Sequence, residues 1–193
     1  MSGLFIARKT IMTIDLAAKR LGVEARAIQA VACVESSGNG FLPTGEPKIL
    51  FERHVFYRRL KAVGIDPDKI SPLICSPTPG GYRGGIEEHK RLQIAVKVHR
   101  DAALESASWG EFQIMGFHWK SLKYPSLQDF INAMYASEES HLDSFVRFIE
   151  ANPALVKALR AKDWAAFARG YNGPAYANNA YDTKMAVAYA SLA

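Results

Sequence analysis

Cysteine is nearly absent: Cys33 and Cys75 are the only two in 193 residues. That is too few for a disulfide framework or a cysteine-based metal site, so both read as reduced thiols, one of them in the core. No apolar run approaches the roughly 18 residues that a membrane-spanning helix needs. The opening MSGLFIARKT has only Leu4 to Ala7 as an apolar stretch before Arg8 and Lys9. A cleavable export signal carries about 7–15 apolar residues, so the expectation is synthesis in the cytoplasm without a signal peptide. Walker, GxGxxG and GxSxG motifs are missing, which argues against nucleotide hydrolysis and a serine nucleophile. His54, His89, His99, His118 and His141 lack metal-ligand spacing, so no metal is expected.

What is present is the composition of one globular domain, 49% apolar and 22% charged, enough for a sizeable core. The balance of 24 Lys+Arg against 19 Asp+Glu, net +5, favours an anionic partner. Nucleic acid, lipid phosphate and cell-wall polymer fit that charge equally.

Helical periodicity dominates, and the expected fold class is mostly α. Ile14, Ala17, Ala18 and Leu21 share a stripe, with Thr13 as N-cap and Gly22 as the stop. A second helix spans roughly 24–35 and ends in the loop 36–40. A third is expected over 49–63 through Phe56, Leu60 and Val63. Residues 64–85 carry Pro67, Pro72, Pro77 and Pro79 with Gly80, Gly81, Gly84 and Gly85. They read as a long loop, and loops of that length are usually functional or mobile. A helix over 86–104 follows, in which GIEEHKRL reads as a solvated face. Further helices are expected from Ser126 to about 137, through Leu142, Phe145, Val146 and Ile149, from Pro153 to about 161, over 163–169 and over 181–191. No period-2 strand of useful length is apparent; 109–115 reads as a short extended or helical piece.

Glu35 breaks the pattern. It continues the stripe of Ile28, Val31 and Ala32, placing a carboxyl where an apolar group belongs, in the last turn of its helix. Burial and the helix dipole both raise a carboxyl pKa, as a general acid requires. The alternative is a side chain that tips outward into solvent.

The runs VACVESSGNGF (31–41) and GEPKILFERHVF (45–56), followed by GGYRGG (80–85), ASWGEFQIMGFHW (107–119) and ARGYNGPAYANNAYDTKMAVAY (168–189), resemble the phage and bacterial N-acetylmuramidase family. The likeness runs from about Val23 to Tyr189 with the motifs in order. It implies a lysozyme-like single catalytic domain over 1–193, related in plan to goose-type lysozyme and lytic transglycosylases. It also implies Glu35 as the catalytic acid and no cofactor. The implied partners are peptidoglycan glycan strands and the anionic bacterial envelope, not nucleic acid, with a monomer acting on the wall after the membrane has been opened.

Within those motifs, Trp109, Tyr171 and Tyr176 offer flat faces for pyranose rings, or else ordinary core packing. Gln113 and Asn172 offer paired donors and acceptors for N-acetyl groups. Glu111 departs from the apolar residue expected in its motif and faces either cleft or solvent. For the second carboxylate, Glu52 leads, ahead of Glu46, Asp66 and Glu111. Its competing reading is a buried ion pair with Arg53 or Arg83, and His54 is near enough in sequence to orient it. Two rival functions stay open: a lytic transglycosylase needing one Glu, and a basic module that binds polymer without catalysis.

Overall fold

The Thr13 hydroxyl accepts from the Leu16 N–H at 3.3 Å, and Gly22, left-handed at φ 64°, closes helix α1 (Ile14–Leu21). Its buried Ala17, Ala18 and Leu21 pack on α2 (Ala25–Glu35), which buries Ala27, Ile28, Ala30 and Val31. The computed structural model describes residues 12–35 and 38–192. The opening segment read for a signal and the first two residues of the loop after Glu35 lie outside that description.

The single helix expected over 49–63 is two elements. Ile49–Phe51 forms strand β1, and only Arg53–Ala62 is helical, as α3. Strand β1 pairs antiparallel with β2 (Ala107–Trp109) in the register Ile49↔Trp109, Leu50↔Ser108 and Phe51↔Ala107. Strand β3 (Ile114–Met115) lies on the other side of β2, giving the sheet order β1-β2-β3. These strands of two or three residues are too short to show a period of two, and β1 finds its partner more than fifty residues away. The stretch 109–115 is a hairpin, in which Trp109 ends β2, residues 110–113 turn and Ile114–Met115 return as β3.

The helix expected over 86–104 also divides. His99 takes an extended backbone, and its Nδ1 accepts from the Ala102 N–H at 3.1 Å. It thereby caps α5 (Arg100–Glu105) and ends α4 (Ile86–Val98). The face read as solvated is not so: Glu88, His89 and Arg91 are buried, because the carboxylate, ring and guanidinium bond backbone groups of remote segments.

The remaining helices follow the sequence closely: α6 (Leu127–Ala136), α7 (Glu138–Glu150), α8 (Pro153–Ala161), α9 (Trp164–Asn172) and α10 (Tyr181–Ser191). Helix α9 runs one turn past the expected end at 169. Tyr171 carries that turn, its ring lying 5.8 Å from Phe167, 5.6 Å from Phe145 and 5.4 Å from Phe148. Helix α10 packs on α2 and α9, and α7 on α1, α6 and α8, around one core that holds Phe51, Phe56, Phe130, Phe145 and Phe167. The architecture is mostly α with a small sheet. Residues 64–85 form the irregular excursion expected, interrupted by one 3₁₀ turn at Pro67–Lys69. Cys75 is buried and Cys33 exposed, both as free thiols.

Candidate active site

Helix α2 ends at Glu35, whose side chain lines a cavity of about 460 Å³ with Gln113, Met115, His118, Tyr171 and Asn172. The stripe that buries Ile28 and Val31 carries the carboxyl inward with them. Asn172, at the last position of α9, donates from Nδ2 to Glu35 Oε1 at 2.7 Å. Burial pushes the Glu35 pKa above its ordinary value of 4.5, and the Asn172 hydrogen bond opposes this more weakly. The negative end of α2 acts in the same direction as burial.

Gln113 sits at the tight turn before β3 with φ 49°, a conformation rare for a residue with a Cβ. Its own side chain holds it there. Nε2 donates to the Gly110 carbonyl at 2.8 Å, while Oε1 accepts from the Ser108 hydroxyl at 2.7 Å. Tyr171 also reaches the cavity, but most of its ring is wedged among phenylalanines and its hydroxyl donates to the Phe112 carbonyl at 3.1 Å. Burial and the neighbouring Glu35 push its phenol well above its usual value.

Trp109 is a correction. Only 1% exposed, it donates its indole N–H to the Leu104 carbonyl at 3.1 Å and offers the cavity no face. Its β2 position turns it into the core, towards Tyr135 with ring centroids 6.3 Å apart. Glu111 does not line the cavity, and its backbone N–H donates to His141 Nδ1 at 3.2 Å. The side chain of Tyr176 lies outside the described residues.

Glu52 stands at the opposite side of the sheet, between β1 and α3. Its N–H donates to the Ser106 carbonyl at 2.9 Å. Its carboxylate accepts from the Tyr82 hydroxyl at 3.0 and 2.9 Å, and His54 Nδ1 lies 3.1 Å from Oε2. Of the expected alternative partners, the Arg53 guanidinium binds loop carbonyls, and Arg83 gives its backbone N–H, not its guanidinium, to Glu88. Glu52 is not among the residues lining the Glu35 cavity. Of the lesser candidates, Asp66 caps the 3₁₀ turn, accepting from the Asp68 N–H at 3.1 Å, and Glu46 lies outside the cavity lining.

Two residues entered the site without being singled out. His118 lines the cavity, and burial, with the nearby Arg59 cation, pushes its imidazole below its ordinary value of 6.5, so it is neutral at pH 7. Tyr82 reaches Glu52 from the Pro/Gly-rich loop. The motifs containing them were visible, but their chemistry depends on neighbours remote in sequence.

The model of the N-acetylmuramidase family matches residues 24–193. Among solved structures, the chain is similar to the crystal structure of a Burkholderia AP3 phage endolysin, with 48% identity and a TM-score of 0.88. That match covers 92% of this chain and 68% of the other. No curated protein sequence matches. The family match spans the helix that ends in Glu35, the sheet, and the α9 turn that brings Asn172 to it, so the chain belongs to the N-acetylmuramidase family of glycoside hydrolases.

Proposed function

We propose that the protein is an endolysin that hydrolyses the β-1,4 bond between N-acetylmuramic acid and N-acetylglucosamine in peptidoglycan. Glu35 is the general acid and Glu52 the base. The observation that carries this reading is a partly buried carboxyl of raised pKa, held by Asn172 in a cavity large enough for sugar. Family membership supports the substrate class, and the similarity to a phage endolysin supports the biological setting, in which the enzyme meets the wall once the membrane has been opened.

The chemistry runs as follows. Asn172 donates to Oε1, which leaves Oε2 of Glu35 to carry the proton. That proton passes to the glycosidic oxygen as the C1–O bond breaks, and the leaving sugar departs as an alcohol. Water attacks C1 and yields its proton to Glu52. A base that activates water in this way, leaving room for that water between itself and the acid, is the arrangement of inverting glycosidases, in contrast to the nucleophilic carboxylate of retaining ones.

One observation favours the transglycosylase reading: Glu52 is absent from the lining of the Glu35 cavity. In that reaction the C6 hydroxyl of the substrate replaces water and no second carboxylate is needed. Glu35→Gln tests the part common to both enzymes. It keeps the side chain's shape and removes the transferable proton, so turbidity loss of peptidoglycan should fall by about 10²–10⁴. A folded Glu35→Gln protein that still clears the suspension at the normal rate would remove Glu35 from the mechanism.

A further inference from the structure

The chemistry above leaves the Pro/Gly-rich excursion unexplained. Residues 64–85 have almost no regular structure, yet side chains from α3 and α4 pin the part that leads back into α4. Arg53 donates from Nε to the Thr78 carbonyl at 3.0 Å, from Nη1 to Pro72 at 3.3 Å, and from Nη2 to Pro79 at 3.1 Å. The chain passes so close to this guanidinium at Gly81, φ 78°, that a Cβ there would meet it at 3.0 Å.

The other clamp is Glu88, which is fully buried. Its Oε1 accepts from the Arg83 N–H at 2.5 Å and the Gly84 N–H at 3.2 Å. Its Oε2 accepts from the Phe51 N–H at 3.0 Å and Arg91 Nη1 at 2.7 Å. Burial alone would raise its pKa. The backbone donors and the Arg91 charge prevail and hold it below the usual 4.5. One carboxylate thus ties the end of the loop to Phe51, the residue immediately before Glu52.

Tyr82 lies between the two clamps. Its hydroxyl donates to both oxygens of Glu52 at 3.0 and 2.9 Å, although the residue is 46% exposed. Burial of the hydroxyl end and the bond to Glu52 push the phenol above its ordinary value of 10, so it remains a donor across the working pH range. A glutamate has several rotamers, and a base must be fixed to within about 0.5 Å to work well. The Tyr82 hydroxyl, bonded to both oxygens, and the His54 ring, 3.1 Å from Oε2, restrict that freedom.

We propose that Tyr82 is a positioning residue for the reaction: its hydroxyl holds the Glu52 carboxylate in the orientation that takes the proton from the attacking water, and Arg53 and Glu88 hold Tyr82. The proposal rests on Glu52 being the base. It gives the irregular loop a task that neither its sequence nor its lack of secondary structure discloses.

The test is a double-mutant cycle of Tyr82→Phe and Glu52→Gln, with kcat and KM measured on soluble peptidoglycan oligosaccharides and melting temperature measured alongside. Tyr82→Phe keeps the ring and should leave KM and melting unchanged while kcat falls about 10–100-fold, the scale of a misplaced catalytic group. In the Glu52→Gln background, where rates are read over long incubations, Tyr82→Phe should cause no further fall. An equal fall in both backgrounds, or a raised KM with kcat retained, would mean that Tyr82 touches sugar directly, and would overturn the proposal. A collapsed rate in Glu52→Gln with a normal one in Tyr82→Phe would overturn it while leaving Glu52 as the base. A normal rate in Glu52→Gln alone would refute the assignment of Glu52 itself, and the positioning role with it.

Discussion

Replacing Glu88 by glutamine perturbs the most deeply buried charge pair in the described structure. Glu88 is 0% exposed and Arg91 2%, and their salt bridge measures 2.7 Å. The substitution leaves the Arg91 guanidinium buried without its counter-charge. It also turns an amide NH₂ towards groups that are themselves donors, the N–H of Phe51 or those of Arg83 and Gly84. Breaking one member of a buried pair costs about 3–5 kcal/mol. For a chain of this length each kcal/mol moves the melting temperature by about 2–4 °C, so the variant should melt about 6–20 °C lower. The pH dependence has a definite sign. The folded pKa of Glu88 lies below its ordinary 4.5, so its stabilising contribution is fully present above that value and is lost as pH falls through the folded pKa. The gap between wild type and Glu88→Gln should therefore narrow in acid. Thermal unfolding followed by circular dichroism at pH 7 and in acid measures both effects. A variant that melts with wild type at pH 7, or a gap that widens in acid, would refute the reasoning.

Glu35→Gln should act in the opposite sense: the folded pKa is raised above 4.5, so ionisation costs the wild type stability at neutral pH, and the variant should melt higher there, with the difference vanishing below that ordinary value. Equal melting at pH 7 would mean the carboxyl is solvated after all. Trp109→Ala should destabilise by about 3–5 kcal/mol as a core truncation. Oligosaccharide affinity of the folded fraction, by calorimetry, should be unchanged, and a selective loss of affinity would restore Trp109 to the cleft. Cys33 should react with a thiol reagent in the native protein, and Cys75, buried and with its pKa raised to about 11, only after unfolding. Two fast thiols in the native state would contradict the placement of Cys75.

Local signals served where local physics decides. Thr13 and Gly22 bound α1, Pro153 starts α8, and the Ile28–Val31 stripe leads to an inward-facing Glu35, all from residues within a few positions of each other. Where pairing is long-range, periodicity misled. Ile49–Phe51 reads as part of a helix until β2, more than fifty residues on, supplies its hydrogen bonds. GIEEHKRL has the composition of a wet surface, and only the loop and β1 folding over it make Glu88 and Arg91 core residues. For the site, the motif resemblance pointed to Gln113, Tyr171 and Asn172, which share the cavity with Glu35. It pointed equally to Trp109, because an aromatic in a motif has the same letter whether it faces sugar or core.

The most direct test of the central claim is digestion of purified peptidoglycan in water enriched in the heavy oxygen isotope, with the products analysed by mass spectrometry. Hydrolysis with Glu35 as acid and a water activated by Glu52 should leave reducing ends on N-acetylmuramic acid, each carrying one labelled oxygen. Unlabelled 1,6-anhydro ends, lighter by one water, would contradict it and identify a transglycosylase, and labelled reducing ends on N-acetylglucosamine would refute the assigned bond.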